Sequence, residues 1–291
     1  MFGRALSALT GTKETIWRSE ILHKAWQSKA FNQVPDSENE IHGDAIAQEF
    51  GFKGALVPGA TVAAYLVHPV VEELGQEFLT RGAFSAKFLA PVYDDVDFRV
   101  ETLKETEGGY SAELSQPGRQ ICASARINIS PPDLKPPSLR GDEQGDLIAE
   151  RRPATPEVMR DLQDQGCKAF EDIWQEEHQM GTYLQDPSLM AHPFYRDKFA
   201  NPAFLIGMSN FVFASNAQMN PWILVEAHCQ NFEALAEGRK VLGEMEILTL
   251  FNRRGHEFAD ARINLFDASS GVCCSSIRLR AIYKVRSAKI L

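Results

Sequence analysis

The sequence lacks any uninterrupted apolar run near the roughly 18 residues that a membrane-spanning helix needs, so none is expected. It is poor in cysteine, with five, at positions 122, 167, 229, 273 and 274, and none of them in a Cys-x-x-Cys pair. That odd count and spacing argue against a disulfide framework and a zinc ribbon, and favour free thiols in a reducing cytosol. No two histidines stand at H-x-H or H-x-x-x-H spacing, so neither a metal nor a cofactor is expected. The absence of G-x-G-x-x-G, G-x-x-x-x-G-K and G-x-S-x-G disfavours Rossmann, P-loop and α/β-hydrolase folds. Met1 to Trp17 holds Arg4, Lys13 and Glu14 and no long apolar core, which is not the pattern of a secretory leader; a cytoplasmic protein is expected.

What is present is the composition of a folded chain: 291 residues, 44% hydrophobic and 24% charged. The net charge of -9 repels a phosphate backbone, so no nucleic-acid partner is expected. A local basic patch stays compatible with a phosphorylated small molecule. Prolines at 131, 132, 136, 137, 153 and 156 interrupt regular structure near the middle of the chain. This reads as a linker over 136–160 between a unit at 1–135 and a second at 161–291.

The two halves share one plan. Gly59 to Leu79 is apolar nearly all round, with Val62, Leu66, Val70 and Leu74 at helical spacing and Pro69 as an expected kink. Strand-like runs follow, with alternation at Phe98, Val100 and Thr102 and a turn at Glu107-Gly108-Gly109. Pro202 to Asn220 is a second apolar helix, followed by runs broken at Glu237-Gly238, Arg254-Gly255 and Ser270-Gly271. The tetrapeptide ARIN occurs in both halves, at 125–128 and 261–264, but the matching order of elements is the better sign of duplication. A helix apolar on most sides needs cover on most sides, and a curled antiparallel sheet supplies it. The expected fold is therefore α+β, a double hot dog, with its two sheets joined edge to edge.

The segment before the first helix, Ser37 to Gly59, reads SENEIHGDAIAQEFGFKGALVPG. It resembles the signature of the MaoC-like, (R)-specific enoyl-CoA hydratase family through Asn39, Ile41, His42, Asp44, Ala47, Gly51-Phe52 and Val57-x-Gly59. Phe88, Pro91, Val92 and Asp95 resemble a later strand motif of the same family. The departures are as specific. Ser37 stands where the family has its catalytic Asp, Pro58 where it has a His before the helix, and Glu40 where it has a Pro.

The resemblance implies a hydratase or dehydratase interconverting 2-enoyl and 3-hydroxyacyl thioesters, carried on coenzyme A or an acyl carrier. In that reading His42 moves protons. Asn39 orients water or His42, Ser37 or a nearby acid replaces the Asp, and the Gly59 amide at a helix N-terminus holds the thioester oxygen. Pro58 and Asp44 are the other expected substrate-binding residues. Each has a plainer reading. His42 is a hydrogen-bonded structural histidine, Asn39 a turn residue, Val57-Pro58-Gly59 a helix-opening turn, and Asp44 the cap of the short AIAQEF helix. Two alternatives stand beside the hydratase: a non-catalytic acyl-CoA-binding or structural double hot dog, which Ser37 and Pro58 favour, and a hot-dog thioesterase using Glu72 or Glu73. His228 and Asn231 are candidates for lining the same cleft. The second site is expected to be degenerate, and a monomer and a homodimer are both open.

Overall fold

A computed structural model of the chain describes residues 23–105, 108–118, 121–145 and 151–286. The expectations for the first 17 residues, for Glu107 and for part of the linker lie outside these. In chain order come β1 (His23–Lys29), α1 (Asp44–Glu49), α2 (Gly59–Leu74), α3 (Gln76–Arg81), β2 (Gly82–Phe88), β3 (Asp97–Lys104), β4 (Tyr110–Ser115) and β5 (Ile121–Ile129). Then follow α4 (Pro156–Gln165), β6 (Phe170–Ile173), α5 (His192–Tyr195), α6 (Pro202–Asn216), β7 (Ile223–Asn231), β8 (Lys240–Arg253), β9 (His256–Asp267) and β10 (Cys273–Lys284).

The strands form one ten-stranded antiparallel sheet in the order β1-β3-β4-β5-β2-β7-β10-β9-β8-β6. Read from its middle outward, the order is the same in both directions: β2 answers to β7, β5 to β10, β4 to β9, β3 to β8 and β1 to β6. The chain is thus a double hot dog, and the join is the β2–β7 pair, in register from Ala83 opposite Gln230 to Lys87 opposite Glu226. Pairing these strands removes two exposed edges. The repeated ARIN proves coincidental, since it falls on β5 in one half and on β9 in the other, which are not equivalent strands.

Both long helices behave as their apolar surfaces require. In α2 every residue from Ala60 to Val71 is buried, and the helix runs on through Pro69. It ends at Gly75, whose φ of 56° is a left-handed turn that suits glycine. In α6, Asn201 caps the N-terminus by accepting from the Phe204 N–H at 3.1 Å, and Pro202 fills the first turn, where no N–H is needed. The two helices pack against each other inside the curled sheet. Phe98, Val100 and Thr102 on β3 point inward as their alternation predicts.

Within the stretch expected as a linker, residues from Pro156 onward form α4, capped by the Thr155 hydroxyl. Upstream, buried Glu244 on β8 accepts from the backbone N–H groups of Arg140, Gly141 and Asp142 at 2.8, 2.6 and 2.9 Å. A carboxylate in a nest of three amides fastens that segment to the second half. The five cysteines are buried, and burial pushes the thiols of Cys167, Cys273 and Cys274 up to about 12. Those three thiols are therefore protonated at neutral pH, and all five cysteines serve as core residues.

Candidate functional site

The motif segment folds into a short 3-10 turn, Glu40–His42, followed by α1 and a loop that leads into α2. His42 closes the turn. Its Nδ1 lies 2.7 Å from the carbonyl oxygen of Leu56. A carbonyl only accepts, so Nδ1 carries the proton, and Nε2 of the neutral ring is left as a lone-pair acceptor. Burial lowers the His42 pKa below the ordinary histidine value, and the Leu56 carbonyl opposes this only in part. At neutral pH the ring is neutral and oriented, the state a general base requires.

Asn39, expected to orient water or His42, ties the motif segment to the second half. Its Nδ2 donates to the Trp222 carbonyl at 3.0 Å, and its Oδ1 accepts from the Trp222 N–H at 3.1 Å. This two-bond clasp joins the motif segment to the chain between α6 and β7. Beside it the Glu40 N–H donates to Asn220 Oδ1 at 3.2 Å, and Arg151 Nη2 pairs with Glu38 at 2.9 Å. Asn39 keeps one N–H and one lone pair for other use. The Ser37 hydroxyl donates to the Asn39 carbonyl at 3.1 Å, so it stabilises the same turn.

Asp44 is not the cap of α1. Gly43 holds that position, and the Asp44 carboxylate accepts from the Ala55 N–H at 2.8 Å, stapling the loop that carries Leu56. Pro58 caps α2 in an extended conformation, with φ of -55° and ψ of 139°, and Gly59 is the first helical residue. A Cβ on Gly59 would stand 3.2 Å from Leu224 Cδ2 and 3.4 Å from Phe88 Cε2. The glycine therefore makes room for the second half's Leu224, rather than only for a ligand.

These elements enclose a cavity of about 230 Å³. Its walls are mostly apolar, including Leu56, Val62, Phe88, Leu89 and Leu224, and its polar side chains are Asn39, His42 and Asn210. Gly59 and Pro58 also line it, and no described carboxylate does. A second cavity of about 660 Å³ between the halves shares Asn39, His42, Pro58, Asn210 and Trp222 with the first, and adds Asp36, Ser37, Glu38 and Glu40. A third, polar cavity of about 560 Å³ holds Asp44, Lys53 and Asp94 and also reaches His42. The structure thus brings His42, Asn39, Pro58 and Gly59 to one apolar chamber, leaves Ser37 in the adjoining space, and sets Asp44 on the polar side.

Several sequence candidates lie elsewhere. His228 does not line the cleft: its Nδ1 lies 2.8 Å from the Ser85 hydroxyl across the β2–β7 join, in a strand register that turns it away from the helices. Asn231 is buried and satisfied by the Phe78 carbonyl and the Ser275 hydroxyl. Glu72 and Glu73 sit at the far end of α2, about 20 Å from Gly59 at 1.5 Å per residue. Glu72 accepts from the His192 N–H at 2.6 Å, and Glu73 binds Lys104 at 3.0 Å and the Tyr110 hydroxyl at 2.8 Å. Among the described residues no group of histidine, cysteine or acid side chains has metal-binding geometry, and no helix is long and apolar enough to cross a membrane.

Trp222 and Asn210 are the site residues that sequence reading missed. Both come from the second half. Asn210 Oδ1 is buried without a hydrogen-bond partner among the described residues. Such an orphan costs about 1–3 kcal/mol.

No family model and no curated protein matches the chain. Solved structures do. The double-hotdog protein Rv0216 from Mycobacterium tuberculosis is 11% identical, with a TM-score of 0.58 over 91% of this chain and 96% of its own. A structure described as a MaoC domain protein dehydratase from Chloroflexus aurantiacus is 9% identical, with a TM-score of 0.59 over 91% and 95%. The dehydratase domain of a mycocerosic acid synthase-like polyketide synthase is 14% identical, with a TM-score of 0.54 over 91% and 93%. At these identities the likeness is one of fold: it matches the double hot dog over nearly the whole chain.

Proposed function

We propose that the apolar chamber binds an acyl thioester and that the chain adds water to, or removes it from, a 2-enoyl thioester. The observation that carries this reading is His42: neutral, aimed by the Leu56 carbonyl, and set in an apolar cavity beside the first turn of α2. In hydration, Nε2 of His42 takes a proton from the attacking water as the oxygen bonds to the β-carbon. The electrons move to the thioester oxygen, where the Gly59 amide and the positive end of α2 stabilise the enolate. The proton held by His42 then returns to the α-carbon, and dehydration is the reverse. His42 serves as both base and acid because no carboxylate lines the chamber among the described residues. The Leu56–His42 bond keeps the ring in one tautomer, and Asn39 holds the two halves of the chamber in register through Trp222.

The missing carboxylate also favours a second reading, a protein that binds acyl thioesters without turning them over. One experiment separates the two. Purified protein is mixed with crotonyl-CoA and with a medium-chain 2-enoyl-CoA, and loss of the conjugated thioester absorbance is followed. Turnover that falls about 10²–10⁴-fold in His42→Ala supports hydration. Turnover unchanged in His42→Ala overturns the role of His42. Binding without turnover leaves the second reading.

A further inference from the structure

We propose that the outer face of the sheet, over the join of the two units, carries a phosphate-binding site formed by Arg126 and Arg278. It does not depend on the thioester reading. Four residues stand in one row across β5, β2, β7 and β10: Arg126 is opposite Ser85, Ser85 opposite His228, and His228 opposite Arg278. Their sequence neighbours, such as Ala86, Ile127 and Ile277, are buried against the helices, so the row points outward. These four side chains and the small Ala83 line a hollow of about 190 Å³, and no described acidic residue lines it.

The two arginines hold matching positions in the two units. The Leu89 and Ala90 N–H groups donate to the Cys122 carbonyl at 2.8 and 3.0 Å, and those of Phe232 and Glu233 donate to the Cys274 carbonyl at 2.9 and 3.3 Å. Cys122 therefore answers to Cys274, and Leu89 to Phe232. Four residues on from the two cysteines stand Arg126 and Arg278, and four back from Leu89 and Phe232 stand Ser85 and His228. The duplication thus sets two guanidinium groups on either side of the Ser85–His228 pair, three strand spacings or about 14 Å apart at Cα. Side chains leaning inward from both ends of that span can meet on one anion. A tetrahedral phosphate offers a pair of oxygens to each guanidinium fork, whereas a carboxylate has one edge to offer.

The surrounding charges leave the row cationic. Arg126 makes no ion pair among the described residues. Arg278 touches Asp260 at 3.3 Å, but that carboxylate lies on β9, away from the join, and Arg280 holds it more closely at 2.7 Å. Glu226 lies 3.4 Å from His228 and is shared with Arg280 at 3.6 Å. Arg280 thus serves both nearby acids. On a chain of net charge -9, a hollow with two arginines and no acid in its lining selects an anion.

The test is calorimetric titration at low ionic strength with inorganic phosphate and with phenyl phosphate. Wild type is expected to bind at one saturable site per chain. Arg126→Gln and Arg278→Gln should each weaken binding about tenfold, and lysine at either position should restore only part, because an ammonium keeps the charge without the fork. Both arginines are exposed, so the variants should fold, which circular dichroism checks. Should a glutamine variant misfold, the lysine variant at that position gives the reading through its partial loss. Tighter binding of phenyl phosphate assigns the site to an organic phosphate, and tighter binding of the inorganic ion assigns it to free phosphate; either supports the proposal. No saturable binding by wild type, binding unchanged in both glutamine variants, or equal displacement by chloride at the same ionic strength overturns it.

Discussion

Replacing His68 by phenylalanine should change how the stability of the fold depends on pH, and the size of the change follows from three contacts. His68 lies on α2, stacked on Trp26 with ring centroids 3.9 Å apart and planes 9° apart. Its Nδ1 is 2.9 Å from the Tyr183 hydroxyl. That hydroxyl already accepts from the Ala191 N–H at 2.8 Å, so its own proton points to Nδ1 and the imidazole is the neutral Nε2–H form. Burial, reinforced by the charge of nearby Lys24, lowers the His68 pKa to about 3. In the unfolded chain it returns to about 6.5. The folded pKa is depressed, so the stabilisation is complete above about pH 6.5 and is lost as pH falls toward 3. Between pH 7 and pH 5 the loss is about 2 kcal/mol. Phenylalanine keeps the stack but strands the Tyr183 proton, which costs about 1 kcal/mol or more at neutral pH. Urea denaturation followed by tryptophan fluorescence should show His68→Phe less stable than wild type at pH 7, with the gap closed or reversed at pH 5. Parallel curves for the two proteins would refute the claim that a neutral, buried His68 supplies this slope.

Asn39→Ala removes both bonds to Trp222 and should cost about 2 kcal/mol in denaturant titration, with thioester affinity reduced because the wall carrying Leu224 loosens. Unchanged stability would mean that the clasp is not a structural tie. Glu244→Ala leaves the amides of Arg140, Gly141 and Asp142 without their acceptor. It should destabilise by about 3 kcal/mol and make residues 139–145 the first site of limited proteolysis, which mass spectrometry of the fragments would locate. Asn210→Asp puts a carboxylate in the chamber and should raise enoyl-CoA hydration by about tenfold or more, whereas Ser37→Asp, which faces the adjoining cavity, should not. A gain in Ser37→Asp alone would place the reacting atoms on the opposite side of His42.

The fold could be read from the sequence because its determinants repeat. Helices as apolar as α2 and α6 need a sheet around them, and the turns at Gly238, Gly255 and Gly271 mark the strands of the second half by local chemistry alone. The leading strands β1 and β6 were not legible, since each pairs along a single neighbour at the sheet's edge and β6 is only four residues long. For the site, sequence reading found the half that is contiguous. His42, Pro58 and Gly59 lie within one segment, and their spacing is fixed by a turn and a helix start. Asp44 was read as the cap of the short helix that it instead begins, because the Ala55 N–H that it binds is reached only once the chain after α1 has folded back.

The rest of the site depends on the duplicated plan closing on itself. In a double hot dog each central helix begins beside the partner unit, so a chamber opened by the first unit's motif is completed by whatever the second unit presents. Here that is Leu224 against Gly59, Trp222 in the grip of Asn39, and Asn210 in the chamber wall. The second half supplies the wall, through Leu224, and the register, through the Asn39–Trp222 clasp.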